Sequence, residues 1–115
     1  MNINTDVVPA TVEEARTMLR EGLDDSDREQ MRITIRPTEF HYSVGHWLRE
    51  NWSLWDPGSR LRKDFLNIGL HHPDDITAFL IEEVWCESRG ETFDPLGFVT
   101  RTQAFWQQTV GNPIP

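Results

Sequence analysis

The chain of 115 residues is long enough for one hydrophobic core and too short for two, and its 37% hydrophobic content, with five tryptophans and six phenylalanines, excludes wholesale disorder. Its net charge of −8 repels nucleic-acid phosphates, so we expect no nucleic-acid partner. It has no apolar run of the roughly 20 residues that span a bilayer, no signal-peptide pattern at its start, and a single cysteine, Cys86, which cannot form an internal disulfide. We therefore expect a cytoplasmic protein without a membrane partner.

The negative charge is unevenly distributed along the chain. Residues 1–30 carry eight acids and three bases, residues 71–115 carry seven acids and two bases, and residues 31–70 carry four acids and six bases. The acidity fits either a solvated surface that keeps a small protein soluble or a surface that attracts a basic protein partner. The sequence leaves both interpretations open.

Two capped helices are predicted after a flexible N-terminus at residues 1–8. Thr11, with Glu14 three residues later, forms a capping-box pattern, and the helix that follows ends at Gly22. Asp24 caps a second helix. The acids around it lack the ligand spacing and central glycine of a calcium-binding EF-hand, so we interpret them as capping residues.

The run of residues 31–36 alternates β-branched and basic side chains, as a strand does. No second run is available to pair with it, and an isolated strand leaves its backbone groups unsatisfied. We therefore predict an extended link or a fraying helix end before Pro37.

The stretch of residues 40–55, which holds three of the five tryptophans, predicts one amphipathic helix that begins after Pro37 and runs into an aromatic turn. At 100° per residue, its apolar residues fall within one arc: Phe40, Val44, Trp47, Leu48, Trp52 and Trp55. The residues predicted to point the other way are Tyr42, His46, Arg49 and Glu50.

Three residues of this stretch fit the apolar arc poorly. His41 and Asn51 are polar groups whose burial is costly unless they are hydrogen-bonded. Gly45 costs about 1 kcal/mol relative to alanine in the middle of a helix. Close approach by another helix would explain the glycine.

Three further helices are predicted in the second half of the chain. Ser59 caps a helix that ends at Gly69. Pro73, with two acids in the first turn, begins a long central helix that has apolar residues on a wide arc and extends to Arg89. The last helix begins at Pro95.

These elements together predict an all-α protein. We expect a single compact domain of five or six short helices over residues 9–110, followed by a C-terminal tail at residues 111–115.

Two motifs carry a resemblance to a known family. The first motif is His-x3-Gly-x-Trp-Leu-Arg at residues 41–49, followed by Leu-Trp at residues 54–55. The second is His-Pro-Asp-Asp at residues 72–75. With these motifs the chain resembles a family of small bacterial proteins catalogued as a domain of unknown function, over roughly residues 10–90. It departs from the family pattern at Glu50, where asparagine is expected directly after arginine, and at Thr77, where serine is expected. The resemblance implies the fold boundaries and no activity.

The histidines and acids of these motifs could form a metal site or a catalytic site. The candidate metal ligands are His41, His46, His71, His72, Asp74 and Asp75. They lack a His-x3-His spacing, so we predict no metal and no cofactor, although one histidine from each segment with an aspartate is geometrically feasible. Paired aspartates in the first turn of a helix are typical of helix-end electrostatics, and a general base needs a pKa nearer neutrality. We therefore predict no catalytic residue.

We predict that the polar residues of the two motifs form one buried network that joins the amphipathic helix to the central helix. Its members are His41, Asn51, His72, Asp74 and Asp75. The alternative to a metal site is that His72 caps the central helix at Pro73 while His41 bonds a backbone or carboxylate partner.

Protein binding is the function that we expect. Trp52, Trp55 and Trp106 supply more aromatic area than a core of this size needs, and tryptophan and arginine are favoured at binding hot spots. The alternative is that these tryptophans all belong to the core. The predicted partner-binding residues are Tyr42, His46, Arg49, Trp52 and Trp55. A carboxylate stripe of Asp75, Glu82 and Glu83 is either a second binding face or an ordinary solvated edge.

The predicted partner is a protein, of basic character, and the module would be an inhibitor, immunity or regulatory protein. The alternative is a small enzyme or ligand-binding domain that uses residues 72–75 with His41 and Arg49. A concave polar pocket would favour the enzyme, and a flat apolar patch with exposed tryptophan would favour the binding module.

Overall fold

The computed structural model describes residues 1–110, which form helices joined by short loops. The helices are α1 (Val12–Gly22), α2 (Asp25–Ile33), α3 (His46–Asn51), α4 (Arg60–Asn67), α5 (Pro73–Ser88) and α6 (Pro95–Val110). The described residues contain no strand, and the predicted all-α single domain is confirmed. The predicted tail at residues 111–115 lies outside the described range.

The helix starts follow from side-chain caps. The Thr11 hydroxyl accepts the Glu14 amide N–H at 3.1 Å, but the Glu14 carboxylate accepts from the Ala10 amide instead of completing the box at Thr11. Asp24 and Asp27 accept each other's amide N–H groups at 2.8 and 3.1 Å, which satisfies two donors that a helix start leaves free. The predicted cap at Asp24 is therefore confirmed.

Helix α5 lies at the centre of the fold. Each of the other helices packs against it, as do the two short helical turns before α3, at Pro37–Phe40 and His41–Gly45. Its buried residues cover more than half of the helix circumference, which matches the wide apolar arc predicted from the sequence: Pro73, Ile76, Thr77, Phe79, Leu80, Ile81, Glu83, Val84 and Cys86. None of the helices in residues 1–110 is long and apolar enough to cross a membrane.

A buried ion pair joins α1 to α5. The Arg16 guanidinium donates to the Glu83 carboxylate, with Nε 2.9 Å from Oε1, and this hydrogen bond raises the pKa of Arg16 above its usual range. Glu83 is only 3% exposed. The prediction that placed Glu83 in a surface carboxylate stripe is wrong, because an arginine on a neighbouring helix compensates the buried charge.

Residues 34–36 link α2 to the 3₁₀ turn at Pro37–Phe40. Helix α2 runs through Ile33, and the Thr34 backbone after it is extended. Trp85 of α5 and Arg89, which caps the end of α5, stabilise this link: the Trp85 indole N–H and the Arg89 guanidinium both donate to the Thr34 carbonyl, at 2.9 and 3.3 Å. Of the predicted run, residues 31–33 therefore belong to the end of α2, and only residues 34–36 form the link.

The segment of residues 40–55 is helical up to Asn51 and then turns, as predicted, but the prediction of one regular amphipathic helix is wrong. The segment begins with a 3₁₀ turn at Pro37–Phe40 and a π-helical turn at His41–Gly45, and only then continues as α3. After α3 the chain turns at Ser53, which has a positive φ of 51°. Side chains therefore do not follow a constant 100° spacing, so a helical wheel misplaces several of them.

Candidate functional site

Arg49 joins the first motif to the second. Although it lies on the short helix α3, it is only 5% exposed. Its guanidinium donates to the Thr77 hydroxyl at 2.9 Å and to the His41 carbonyl oxygen at 2.8 Å, and its Nε lies 3.7 Å from a carboxylate oxygen of Asp74. The prediction that Arg49 points outward toward a partner is wrong, because these acceptors satisfy it inside the protein.

Gly45 leaves the space that Arg49 occupies. A Cβ atom at this position would lie 2.8 Å from the guanidinium Nη1 of Arg49 and 3.4 Å from the Ile81 side chain. The predicted close approach at Gly45 is therefore present, but the nearest neighbour is a buried side chain of the same segment. The glycine and the arginine of the first motif are required by the same packing.

Thr77 is the member of this arrangement that the sequence did not identify. It is fully buried, accepts from Arg49, and donates from its hydroxyl to the Asp74 carbonyl oxygen at 3.1 Å. In the sequence, Thr77 is marked only by its departure from the family pattern, in which serine is expected. Threonine keeps the hydroxyl that serine would supply, which is the signal that could have identified it.

The predicted polar network is not formed in the predicted way. The Asn51 amide donates locally to the Trp47 carbonyl oxygen at 2.9 Å, and His41 takes part through its backbone. His72 accepts the Asp74 amide N–H at 3.0 Å and so caps α5, which is the role predicted for it as the alternative to a metal site. The buried link between the motifs is centred on Arg49 instead.

An aromatic–acidic cluster lies beside this link, formed by Trp55, His72, Asp74, Asp75 and Trp106. The His72 ring centroid lies 5.6 Å from that of Trp55 and 5.8 Å from that of Trp106. The Trp106 indole N–H donates to an Asp75 carboxylate oxygen at 2.7 Å. Burial raises the pKa of Asp75, and the Trp106 hydrogen bond and His72 oppose that shift. The cluster therefore combines partly exposed rings with a half-buried carboxylate.

The remaining predicted partner-binding residues divide into exposed and buried ones. Tyr42 is 88% exposed, Trp55 is 52% exposed, and His46 is also exposed. Trp52 is 1% exposed and packs edge-on against Trp47, with ring centroids 6.4 Å apart. The prediction that Trp52 meets a partner is wrong, because Trp52 continues the apolar face of α3 and packs inside the hydrophobic core.

A groove of about 330 Å³, called here the α5 groove, continues along the same side of α5. It is lined by the segment before α3, by α5 and by Phe98 of α6: Pro37, Thr38, His41, Tyr42, Ala78, Ile81, Glu82 and Phe98. Asp75, Ala78 and Glu82 share one face of the helix, so the groove and the aromatic–acidic cluster adjoin.

Replacing Glu82 with glutamine is expected to raise the melting temperature at pH 7. Burial raises the pKa of Glu82 despite the ion pair with Arg101 at 3.2 Å. When the pKa of a carboxyl group is higher in the folded protein than in the unfolded chain, ionisation of that group destabilises the fold. The free energy of unfolding then falls as the pH rises from the unfolded pKa, about 4.3 for glutamate, through the folded pKa. Glutamine removes that penalty and keeps an acceptor for Arg101. Thermal unfolding from pH 3 to pH 7 should show the gain at neutral pH and its disappearance at the acidic end, and a constant difference would contradict the assignment.

The chain belongs to the family described as a domain of unknown function, DUF6794, whose model matches residues 8–88. The resemblance drawn from the two motifs is confirmed at the level of the family. The matched range includes Arg49, Thr77 and the His72 cap, and it ends before α6, which supplies Trp106. No curated protein and no solved structure matches the chain. Within residues 1–110, no group of three or more His, Cys, Asp or Glu side chains is arranged to hold a metal ion.

Proposed function

We propose that the protein acts by binding another protein, of basic character, on the face of α5 that carries the aromatic–acidic cluster and the α5 groove. A small acidic module of this kind suits an inhibitor, immunity or regulatory protein. We place this function in the cytoplasm, where a lone thiol such as Cys86, buried here, stays reduced.

The observation that carries the proposal is the exposure of two large aromatic side chains on this face. Tyr42 is 88% exposed at the α5 groove, and Trp55 is 52% exposed in the aromatic–acidic cluster. Aromatic side chains of this size lose little conformational freedom on binding and supply much of the energy at protein interfaces. Two of them beside one groove favour a contact surface.

The charges of the face favour a basic partner. Asp74, Asp75 and Glu82 lie along it, while Arg49 is buried beneath Asp74. Arg101 offsets Glu82 alone. The net charge of −8 for the whole chain would add long-range attraction for a positively charged protein.

The contacts of the motif residues support binding over catalysis. Two nitrogens of Arg49 donate to protein acceptors, and Nδ1 of His72 accepts a helix-cap hydrogen bond. A catalytic acid, base or anion-binding residue needs free atoms directed at a substrate. These groups instead stabilise the fold, which argues against the enzyme that the sequence left as the alternative.

Replacing Tyr42 and Trp55 together with alanine is expected to abolish capture of the partner. Immobilised wild-type protein and variants would be exposed to lysate of the source cells, and retained proteins would be compared by mass spectrometry at low and high salt. The wild type should retain a basic protein, more weakly at high salt.

The matched control replaces Leu66 and Leu96 with alanine. These side chains are 52% and 76% exposed and lie outside both the aromatic–acidic cluster and the α5 groove. This control should retain the same protein as the wild type. Equal capture by both double variants would contradict the proposed face, and capture of no basic protein by the wild type would contradict the proposed function.

A further inference from the structure

We propose that the aromatic–acidic cluster is the receptor for an arginine side chain of the partner. The inference rests on the proposed function and specifies the chemistry that the partner presents at this point. Two features of the cluster support it: an acid without a cationic partner among the described residues, and two partly exposed indole rings close to that acid.

The acid is Asp75. Its side-chain hydrogen bond comes from the neutral Trp106 indole at 2.7 Å, and no lysine or arginine within residues 1–110 lies within salt-bridge distance of it. Two other carboxylates of α5 differ in this respect, because the buried Glu83 pairs with Arg16 and the half-buried Glu82 pairs with Arg101. A half-buried carboxylate that lacks a cation within the described chain would gain from one supplied by a partner.

The two indoles lie near this carboxylate. Trp106 bonds it directly, and the Trp55 ring packs edge-on against His72, with centroid distances to the His72 ring of 5.6 Å for Trp55 and 5.8 Å for Trp106. Trp55 is 52% exposed, so part of its indole surface is open to a ligand. An indole face attracts a cation through its quadrupole, and the attraction strengthens when a nearby carboxylate completes the site.

Arginine fits these features better than lysine does. A guanidinium is planar, so it stacks on an indole while its N–H fork reaches a carboxylate in the same plane. The free oxygen of Asp75 remains available, since Trp106 bonds the other. Asp74 adds negative charge nearby with a side chain that is 44% exposed, although Arg49 partly offsets it.

The test is an NMR titration with N-acetylarginine methylamide as the probe, followed at the tryptophan indole N–H signals. We expect saturable shifts at Trp55 and Trp106, with a dissociation constant on the order of millimolar for so small a ligand. N-acetylcitrulline methylamide has the same shape without the charge and should shift neither signal. The lysine analogue should bind several-fold more weakly.

Asp75→Asn should weaken binding of the probe about tenfold, and Asp25→Asn, an exposed acid on α2, should leave it unchanged. The other indole signals report whether the Asp75 variant is folded. Equal shifts by citrulline, equal binding of lysine, or unaltered binding by a folded Asp75→Asn variant would each overturn the inference.

The two proposals fail in different ways. Partner capture that depends on Tyr42 and Trp55, without any response to the arginine probe, would overturn the arginine receptor and leave the proposed function standing. A saturable response to the probe, without capture of a basic protein, would overturn the proposed function alone.

Discussion

Replacement of Arg49 with methionine is expected to lower the free energy of unfolding by about 3 kcal/mol. Methionine keeps the apolar stem but removes the donors to the Thr77 hydroxyl and the His41 carbonyl oxygen. Both acceptors lie at a site where Arg49 is only 5% exposed, so water cannot readily replace the lost bonds. Urea denaturation monitored by tryptophan fluorescence would measure the change.

The matched control is Arg60→Met, which removes an exposed arginine at the start of α4. Its effect should stay within about 0.5 kcal/mol, as for most surface substitutions. If the two variants unfolded at the same urea concentration with equal slopes, the buried link between the motifs would not stabilise the fold.

Replacement of Gly45 with alanine is expected to lower the free energy of unfolding by about 2 kcal/mol. Helix propensity alone predicts the opposite sign, a gain of about 1 kcal/mol. The added Cβ would lie 2.8 Å from the Arg49 guanidinium, which hydrogen bonds hold in place. Ser43→Ala, on the exposed side of the same π-helical turn, should change stability little.

A double-mutant cycle tests the physical cause of the Gly45 effect. In the Arg49→Met background the added methyl group no longer meets a fixed guanidinium, so Gly45→Ala should cost at least about 1 kcal/mol less than in the wild type. Additive effects of the two substitutions would show that Gly45 is required for another reason. The cycle therefore separates a steric requirement from a general weakness of the π-helical turn.

The candidate site was only partly predictable from the sequence. Tyr42 and Trp55 were predicted as surface residues and are exposed, whereas Arg49 and Trp52 were predicted for the same surface and are buried. A π-helical turn contains more residues than an α-helical turn, so the turn at His41–Gly45 changes the direction of the side chains of α3, including Arg49, relative to a constant 100° spacing. A wheel drawn at 100° per residue cannot represent that change. The same wheel placed Trp52 on the apolar arc, and its burial agrees with that placement.

Trp106 shows a second reason why the candidate site could not be predicted fully from the sequence. Its sequence spacing placed it on the last helix, but nothing local indicates that it bonds Asp75, which lies 31 positions earlier in the chain. The pairing depends on how α6 packs against α5. The same holds for Arg16 and Glu83, whose burial together turns an apparent surface stripe into an internal ion pair.

The sequence by itself determined the helical class, the helix starts at Asp24, Ser59 and Pro73, and the membership of a family of unknown function. These features follow from local chemistry, since caps, proline and apolar spacing act within a few residues of one another. The tertiary structure alone decided which polar groups are buried and which aromatic rings reach the surface. Those outcomes depend on long-range packing around α5, where a buried charge is tolerated only if a distant residue compensates it.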